Sequence, residues 1–373
     1  MSGLYIHIPF CVRKCAYCDF VSFADHAPMR EYLAALRREM RLRAQEGRFT
    51  FFDTVFLGGG TPSVLPPGAL ADILQTARDC FSLVPGAEIS METNPGTLTP
   101  EKLHEYAGAG VNRLSVGLQS SHNHLLKAVG RIHSWEDFLA SWALIQNAGF
   151  RNVNVDVMYG LPQQTLAEHE ATLRDVAALS PAHISAYSLI LEEGTPLFDA
   201  RPALPDEEET YAMHLVTRER LKAWGYARYE ISNYAKPGFA CRHNLNYWDN
   251  GAYLGVGLSA HSAWRGQGWT RFCNTADMRE YITSLSRGAL PAVYTSIPQN
   301  EEMFECVMLG LRRTDGVAAA RFMDRFGVTL AAAYPEAIKT LLARNWAVWE
   351  AGRFRLTDAG LDMQNAALLL FMA

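Results

Sequence analysis

Cysteine is scarce outside one short stretch. Of the seven cysteines, Cys80, Cys241, Cys273 and Cys306 stand singly, a pattern that fits a reducing compartment better than a disulfide framework. No window approaches the roughly 18 uncharged apolar residues that a membrane span needs, so any membrane contact is expected to be peripheral. A basic n-region is also missing, so no secretory signal is expected and the expected location is cytoplasmic. There is no basic excess: 34 Lys and Arg face 39 Asp and Glu, for a net charge of −5. Residues 312–373 hold eight Lys and Arg and six Asp and Glu, too small a surplus for a phosphate footprint, and no nucleic-acid partner is expected. No glycine-rich dinucleotide fingerprint follows the first strand. The stretch "GGGTPS" (58–63) lacks a lysine in the position a phosphate loop requires.

What remains is an ordinary globular composition, 49% apolar and 20% charged over 373 residues, long enough for one large domain with a smaller one attached. Short β-branched runs alternate with helical stretches from residue 4 to about 230. The expected strands are Leu4–Ile8, Thr54–Leu57, Glu88–Glu92, Arg113–Leu118, Val153–Met158 and His183–Leu189. Met29–Glu46 and Asp206–Trp224 read as long amphipathic helices. Thr99 with Pro100 opens another, closed by Gly110, and Ser134 with Asp137 forms a capping box before one that ends at Gly149. Six such units imply parallel strands with right-handed crossovers, in an open sheet or a partial barrel, short of the eight that close one. Residues 1–230 read as this core. Residues 231–297 form an aromatic-rich extension without simple periodicity. Residues 298–373 read as a small, mainly helical, winged-helix-like domain, with a strand and a helix start in "GRFRLTDAG" (352–360).

In a barrel, residues at the strand C-termini converge on one face. Here the first strand runs into Cys11, Cys15 and Cys18, and the second into Gly58, Gly59, Gly60 and Thr61. The third ends at Glu92 with Asn94, the fourth at Gln119 and the fifth at Asp156, and the sixth carries Tyr187. Unusual chemistry at the same end of six successive strands points to one site. Three thiolates spaced C-x3-C-x2-C suit a soft metal centre. Structural zinc prefers four closed ligands, and a cubane iron–sulfur cluster normally takes four cysteines. With three, one iron keeps an open position; structural zinc and unliganded buried thiols are the plainer alternatives. The glycines of "GGGTPS" let a ligand approach the main chain, or simply make a tight turn. Glu92 could accept from ribose hydroxyls, while Gln119, Arg131 and Asp156 could contact other parts of a nucleoside or its carboxylate.

These motifs, with "METNP", "RLSVGLQS", "GRIHS", "VDVMYGLPQQT" and "HISAYSLILEEGTPL", together resemble the radical S-adenosylmethionine (SAM) enzymes. Within them the chain is similar to the branch of oxygen-independent coproporphyrinogen III oxidases and HemW-type heme chaperones. The resemblance runs from Tyr5 to the "LTDAG" segment and implies a partial (β/α)6 radical-SAM TIM-like barrel. It implies a [4Fe–4S] cluster on Cys11, Cys15 and Cys18, whose fourth iron binds the amino and carboxylate groups of SAM. It places Tyr5, Tyr17, Gly59, Gly60 and Thr61, with Glu92, Gln119, Arg131 and Asp156, against that cofactor. In this family the reduced cluster cleaves SAM to methionine and a 5′-deoxyadenosyl radical, which requires an electron donor.

The decarboxylating oxidases carry a further cysteine two residues after the third ligand, and a longer segment ahead of the cluster. Here Phe20 holds that position and ten residues precede Cys11. Both features resemble the chaperones. So does "CRHNLNYW" (241–248), whose H-N-x-x-Y-W pattern places His243, Asn244, Tyr247 and Trp248 as heme-associated residues; a core histidine among packed aromatics is the plainer reading. "GLSAHS" (257–262) departs from the chaperones' G-A-H-G toward the oxidases. The resemblance thus implies a protein that binds heme and delivers it to acceptor hemoproteins, with porphyrinogen decarboxylation as the alternative.

Overall fold

The computed structural model describes residues 1–372. Its centre is six strands, β1 (Ser2–Ile8), β2 (Phe51–Gly59), β3 (Ser82–Thr93), β4 (Arg113–Gln119), β5 (Val153–Tyr159) and β6 (His183–Ser188). They lie in chain order, each parallel to the next. Helices Met29–Gln45, Ala69–Cys80, Pro100–Gly108, Trp135–Asn147 and Leu166–Ala178 make the crossovers, and Glu207–Ala223 follows β6. The expected caps form. The Thr99 side chain accepts from Lys102 N, and Ser134 and Asp137 make a reciprocal capping box.

Strand geometry points alternate side chains to opposite faces, and the sequence uses the two faces differently. In β4, Leu114, Val116 and Leu118 are fully buried under the helices, while Arg113 and Ser115 face a cavity inside the barrel. In β5 the buried set is Val153, Val155 and Val157, and Asn154 and Asp156 face the cavity; in β6 it is Ile184 and Ala186, with Ser185 and Tyr187 facing inward. A slip of one residue would exchange these sets, so the apolar face fixes the register and thereby the polar lining.

The stretch that shows no simple periodicity in sequence is structured. It adds β7 (Ala227–Arg228), β8 (Asn233–Ala235), β9 (Ala252–Val256), β10 (His261–Arg265), β11 (Trp269–Asn274) and β12 (Ala292–Ile297) to the same sheet. The resulting order is β12-β11-β10-β9-β1-β2-β3-β4-β5-β6-β8-β7. β9 pairs in parallel with β1, and β8 antiparallel with β6. Strands of two to six residues carry too little alternation to be read locally; their pairing is supplied by the margins of β1 and β6, far away in the chain.

A buried ion pair fastens this extension to the core. Glu39 and Arg43, on the Met29–Gln45 helix, are almost wholly buried. Glu39 accepts from Gly257 N at 2.8 Å, Asn274 Nδ2 at 2.7 Å and Tyr281 OH at 2.6 Å. Arg43 donates to Glu39, to Asn274 Oδ1 and to Tyr294 OH, with its guanidinium 3.9 Å from the centre of the Phe272 ring.

The C-terminal part has its own core around Phe322, Phe326, Leu341 and Phe354. Helices Gln299–Gly310, Ala319–Phe326 and Pro335–Ala343 pack with an antiparallel sheet of β13 (Val317–Ala318), β14 (Ala347–Glu350) and β15 (Arg353–Leu356), ordered β13-β15-β14. The region is mainly helical, and Thr357 caps the helix start after β15. Among the described residues no helix is long and apolar enough to cross a membrane.

Candidate cluster and ligand site

The three clustered cysteines follow β1 and are unbridged, with Cys11 buried and Cys15 and Cys18 partly so. Two donors are aimed at their sulfurs: Thr61 Oγ1 lies 3.5 Å from Cys11 Sγ, and Arg131 Nη1 lies 3.5 Å from Cys15 Sγ. Such donors suit thiolates. His7 does not join the set. Its Nδ1 meets Tyr5 OH at 3.0 Å and its Nε2 meets Val21 O at 2.9 Å, so it braces the loop that carries the thiols.

The "GGG" turn is required by close approaches. Gly59 has φ of +104°, and a Cβ there would lie 2.2 Å from the His7 ring. A Cβ on Gly60 would press on the Ile8 and Phe10 main chain, to which Gly60 N and Thr61 N donate at 2.9 and 2.8 Å. A Cβ on Gly58 would meet the Glu92 carboxyl at 2.9 Å. The loop is thus stitched to the base of the cysteine segment, and Gly59 N donates to Glu92 Oε2 at 3.0 Å.

A small cavity of about 150 Å³ lies over the thiols. Cys11, Cys15 and Cys18 line it together with Tyr17, Gly59, Gly60, Thr61, Glu92, Gln119, Arg131 and Asp156. The structure therefore brings together eight of the nine residues expected against SAM. The ninth, Tyr5, lines a larger adjoining cavity that shares Glu92, Asp156, Tyr187 and Phe20 with the first. Arg131 is held by Asn94 Oδ1 at 2.9 Å and by the Gly117 carbonyl. Gln119 adopts φ of +78° and accepts from Tyr187 OH at 3.2 Å. Burial, reinforced by Asp156 and opposed by the Gly59 N–H, raises Glu92 to about 7. Asp156 is raised by burial against hydrogen bonds from Asn154 and Ser185.

The larger cavity, about 780 Å³, runs through the barrel interior, and Phe20, His261, Arg113, Asn154 and Asn233 are among the residues that line it. His243, Asn244 and Tyr247 form part of its wall from the helix Arg242–Trp248. Glu88 seats that helix by accepting from Arg242 N and His243 N, each at 3.1 Å. Both His243 ring nitrogens are engaged, Nδ1 with Thr54 Oγ1 at 2.8 Å and Nε2 with Tyr247 OH at 3.0 Å. Desolvation, helped by the Arg113 charge, drives its pKa down to about 3, so the ring is neutral.

Trp248 is not brought to this cavity. It faces a separate pocket beside Cys306 and Arg325, with the Arg312 guanidinium 4.6 Å from its ring centre. The helical turn that points His243 and Tyr247, at i and i+4, toward the barrel sends the next residue elsewhere.

Two features escaped the sequence reading. Arg113 was visible as the first residue of "RLSVGLQS", on the same alternating face as Ser115 and Gly117, and that alternation was the available signal. His261 lies at the cavity end with its Nε2 3.3 Å from Cys273 Sγ. This pair joins two strands of the aperiodic stretch, and no local pattern announces it.

Residues 5–176 match the model of the Radical SAM superfamily, and residues 297–363 match the HemN C-terminal domain. The whole chain is similar to solved coproporphyrinogen III oxidase (HemN) from Escherichia coli, a radical SAM enzyme. The TM-score is 0.85 at 22% identity, covering 99% of this chain and 89% of that one, a likeness of fold. Fold and thiol-lined cavity together define a radical SAM protein. More narrowly, the chain is 37% identical to heme chaperone HemW of Bacillus subtilis (strain 168), over 100% of its length and 99% of the relative's. It is 36% identical to heme chaperone HemW of Escherichia coli (strain K12), over 100% and 98%. The chain belongs to the HemW family of heme chaperones. A radical SAM domain implies a [4Fe–4S] cluster and SAM, and the thiol donor set fits them.

Proposed function

We propose that this protein binds heme in the barrel cavity and passes it to acceptor hemoproteins, while Cys11, Cys15 and Cys18 hold a cluster that binds SAM. The observation that carries this reading is the 780 Å³ cavity, walled by Tyr5, Phe56, Tyr247 and Tyr253, adjoining the thiol-lined one. Aromatic walls suit the face of a porphyrin. When bound, the cluster would supply one-electron chemistry to SAM, drawing on an external electron donor. The chain's own part is positioning. Arg131 orients toward Cys15 and the cofactor carboxylate, and the Gly59–Thr61 main chain admits the amino-acid portion. Glu92 and Asp156 receive the nucleoside hydroxyls, Gln119 and Tyr187 close the side, and Tyr5 and Tyr17 exclude water.

For the iron, His243 would have to give up the Tyr247 hydroxyl before its Nε2 could coordinate. His261 gives a second reading: it is exposed, reaches the cavity, and has only the Cys273 thiol on its Nε2. Titrating heme into cluster-loaded protein tests the function. Saturable binding with a Soret shift is expected, and its absence defeats the reading. His261→Ala is expected to move the Soret band more than His243→Ala; the reverse order returns the iron to His243. Conversion of coproporphyrinogen III to protoporphyrinogen IX by the reduced protein with SAM would favour the oxidase instead.

A further inference from the structure

The barrel floor holds a cation that no side chain hydrogen-bonds, although the Cys241 thiol and the Glu88 and Asp156 carboxyls lie near enough to favour its charge. Arg113 opens β4, and its side chain is only 2% exposed, yet its Nε has no hydrogen-bond partner. Among the described residues no carboxylate forms an ion pair with it. The nearby carboxylates are turned to other donors. Glu88 accepts from the main chain of Arg242 and His243, and Asp156 accepts from Asn154 Nδ2 at 2.7 Å and Ser115 Oγ at 3.3 Å. His183, which could have approached the guanidinium, is tied to Asn154 Oδ1 at 2.6 Å and to Tyr229 OH at 2.8 Å. Elsewhere on the same cavity wall, Asn233 Oδ1 also has no partner.

Leaving a buried guanidinium N–H without a hydrogen bond is a costly arrangement in a protein interior. Here it persists in a cavity wall, not in packed core: Arg113, Ser185, Ser232 and Asn233 all face the open volume. Its height in the barrel is fixed by register. Arg113 pairs with Ser90, one pleat below the layer in which Ser115 pairs with Glu92 and Asn154. It therefore lies two residues further from the strand C-termini, and from the thiols, than Ser115, the partner of Glu92. Along the cavity Tyr5, Phe56, Tyr187, Tyr247 and Tyr253 offer aromatic surface beside the polar Glu92, Ser115 and Asp156. A ligand matching this profile has a broad apolar body and an anionic group at one edge. The guanidinium fork is built to take a carboxylate through two parallel N–H bonds.

We propose that Arg113 is the centre of a carboxylate-binding subsite at the cavity floor, and that it seats one propionate of the porphyrin, so that the ring stands on its propionate edge with the iron nearer His261. The subsite rests on the heme-binding reading above. It adds an orientation: the carboxylate edge enters first, and the opposite edge stays toward the cavity mouth, where an acceptor can reach it.

The test compares ligands before it compares variants. Heme and heme dimethyl ester, whose propionates carry no charge, are titrated into full-length cluster-loaded protein in the same detergent-containing buffer, and Kd is read from the Soret change. A buried charge-assisted pair predicts that wild-type protein prefers the free acid by roughly ten- to a hundredfold. Iron-free protoporphyrin IX, followed by fluorescence, is expected to show the same preference over its own ester, because the subsite reads the carboxylate and not the metal. R113Q is expected to bind the ester as wild type does and to lose the preference, and R113K is expected to recover part of it. If wild type binds acid and ester equally, Arg113 has no such role and the heme reading stands. If R113Q keeps the preference, the carboxylate lies elsewhere and the proposal is overturned. If wild type binds neither porphyrin, the heme reading fails and the subsite falls with it. Equal binding of acid and ester by wild type overturns the proposal even if the variants fold poorly.

Discussion

Among the described residues two arginines are almost completely buried, and they are opposites. Arg43 sits between a helix and the strands β11 and β12, donating to Glu39, Asn274 and Tyr294 under the Phe272 ring. Arg113 sits in the barrel floor with an unpartnered Nε. The first closes a network within the chain and so is architecture. The second has its charge held ready by the same fold, without a partner. The three closely spaced thiols belong with Arg113: they are unbridged, and donors approach Cys11 and Cys15.

The comparison can be broken in three places. The largest effect is expected at the thiols. Cys15→Ala should abolish the iron and sulfide content and the brown absorption of the reconstituted protein while leaving the circular dichroism of the unloaded chain unchanged. A variant that stays fully loaded would contradict the ligand assignment. Next come the arginines. Arg43→Met strands the buried Glu39 carboxyl and should lower unfolding free energy by about 3–5 kcal/mol in denaturant titrations. Arg113→Met removes a side chain that makes no side-chain hydrogen bond or close ion pair, and should cost less, within about 1 kcal/mol of wild type. Equal losses would mean that Arg113 is structural after all.

The smallest effect lies with Glu92, which belongs to both classes, bonded to Gly59 N and open to the cavity. Its pKa in the folded chain, raised to about 7, lies above its ordinary value of 4.5. Folding therefore favours the protonated form. The stability this contributes is complete below the ordinary carboxylate range and is lost as pH rises through about 7. Hydroxyl donors from a nucleoside need the ionised form, so SAM affinity should rise by up to roughly tenfold per unit as pH approaches 7 from below. Glu92→Gln should flatten that profile. An unchanged slope would place the titration elsewhere in the cavity, Asp156 being the neighbouring candidate.

Much of the core was legible because its signals are local. The apolar sets of β4 and β5, Leu114-Val116-Leu118 and Val153-Val155-Val157, announce strands covered on one face. The Thr99 and Ser134 caps announce helix starts. The convergence of Cys11, Gly59, Glu92, Gln119 and Asp156 followed from their place at strand ends. Less legible were the strands of the 231–297 stretch. The short run Ala252–Val256 becomes regular only by pairing with β1, some 250 positions earlier. The H-N-x-x-Y-W pattern was read as four residues facing one ligand, but on a helix Trp248 turns away from His243 and Tyr247.

The sequence by itself determined the kind of protein: parallel strands from the repeated apolar runs, a soft-metal centre from three closely spaced thiols, and one shared rim for the polar strand ends. These are short-range properties, carried by spacing and by the period of each element. Tertiary structure alone decided which polar groups were left unpaired. Whether Arg43 and Arg113 find partners depends on chain segments far from each of them in sequence. A hydrogen bond is a relation between two places, and only the folded chain brings them together or keeps them apart.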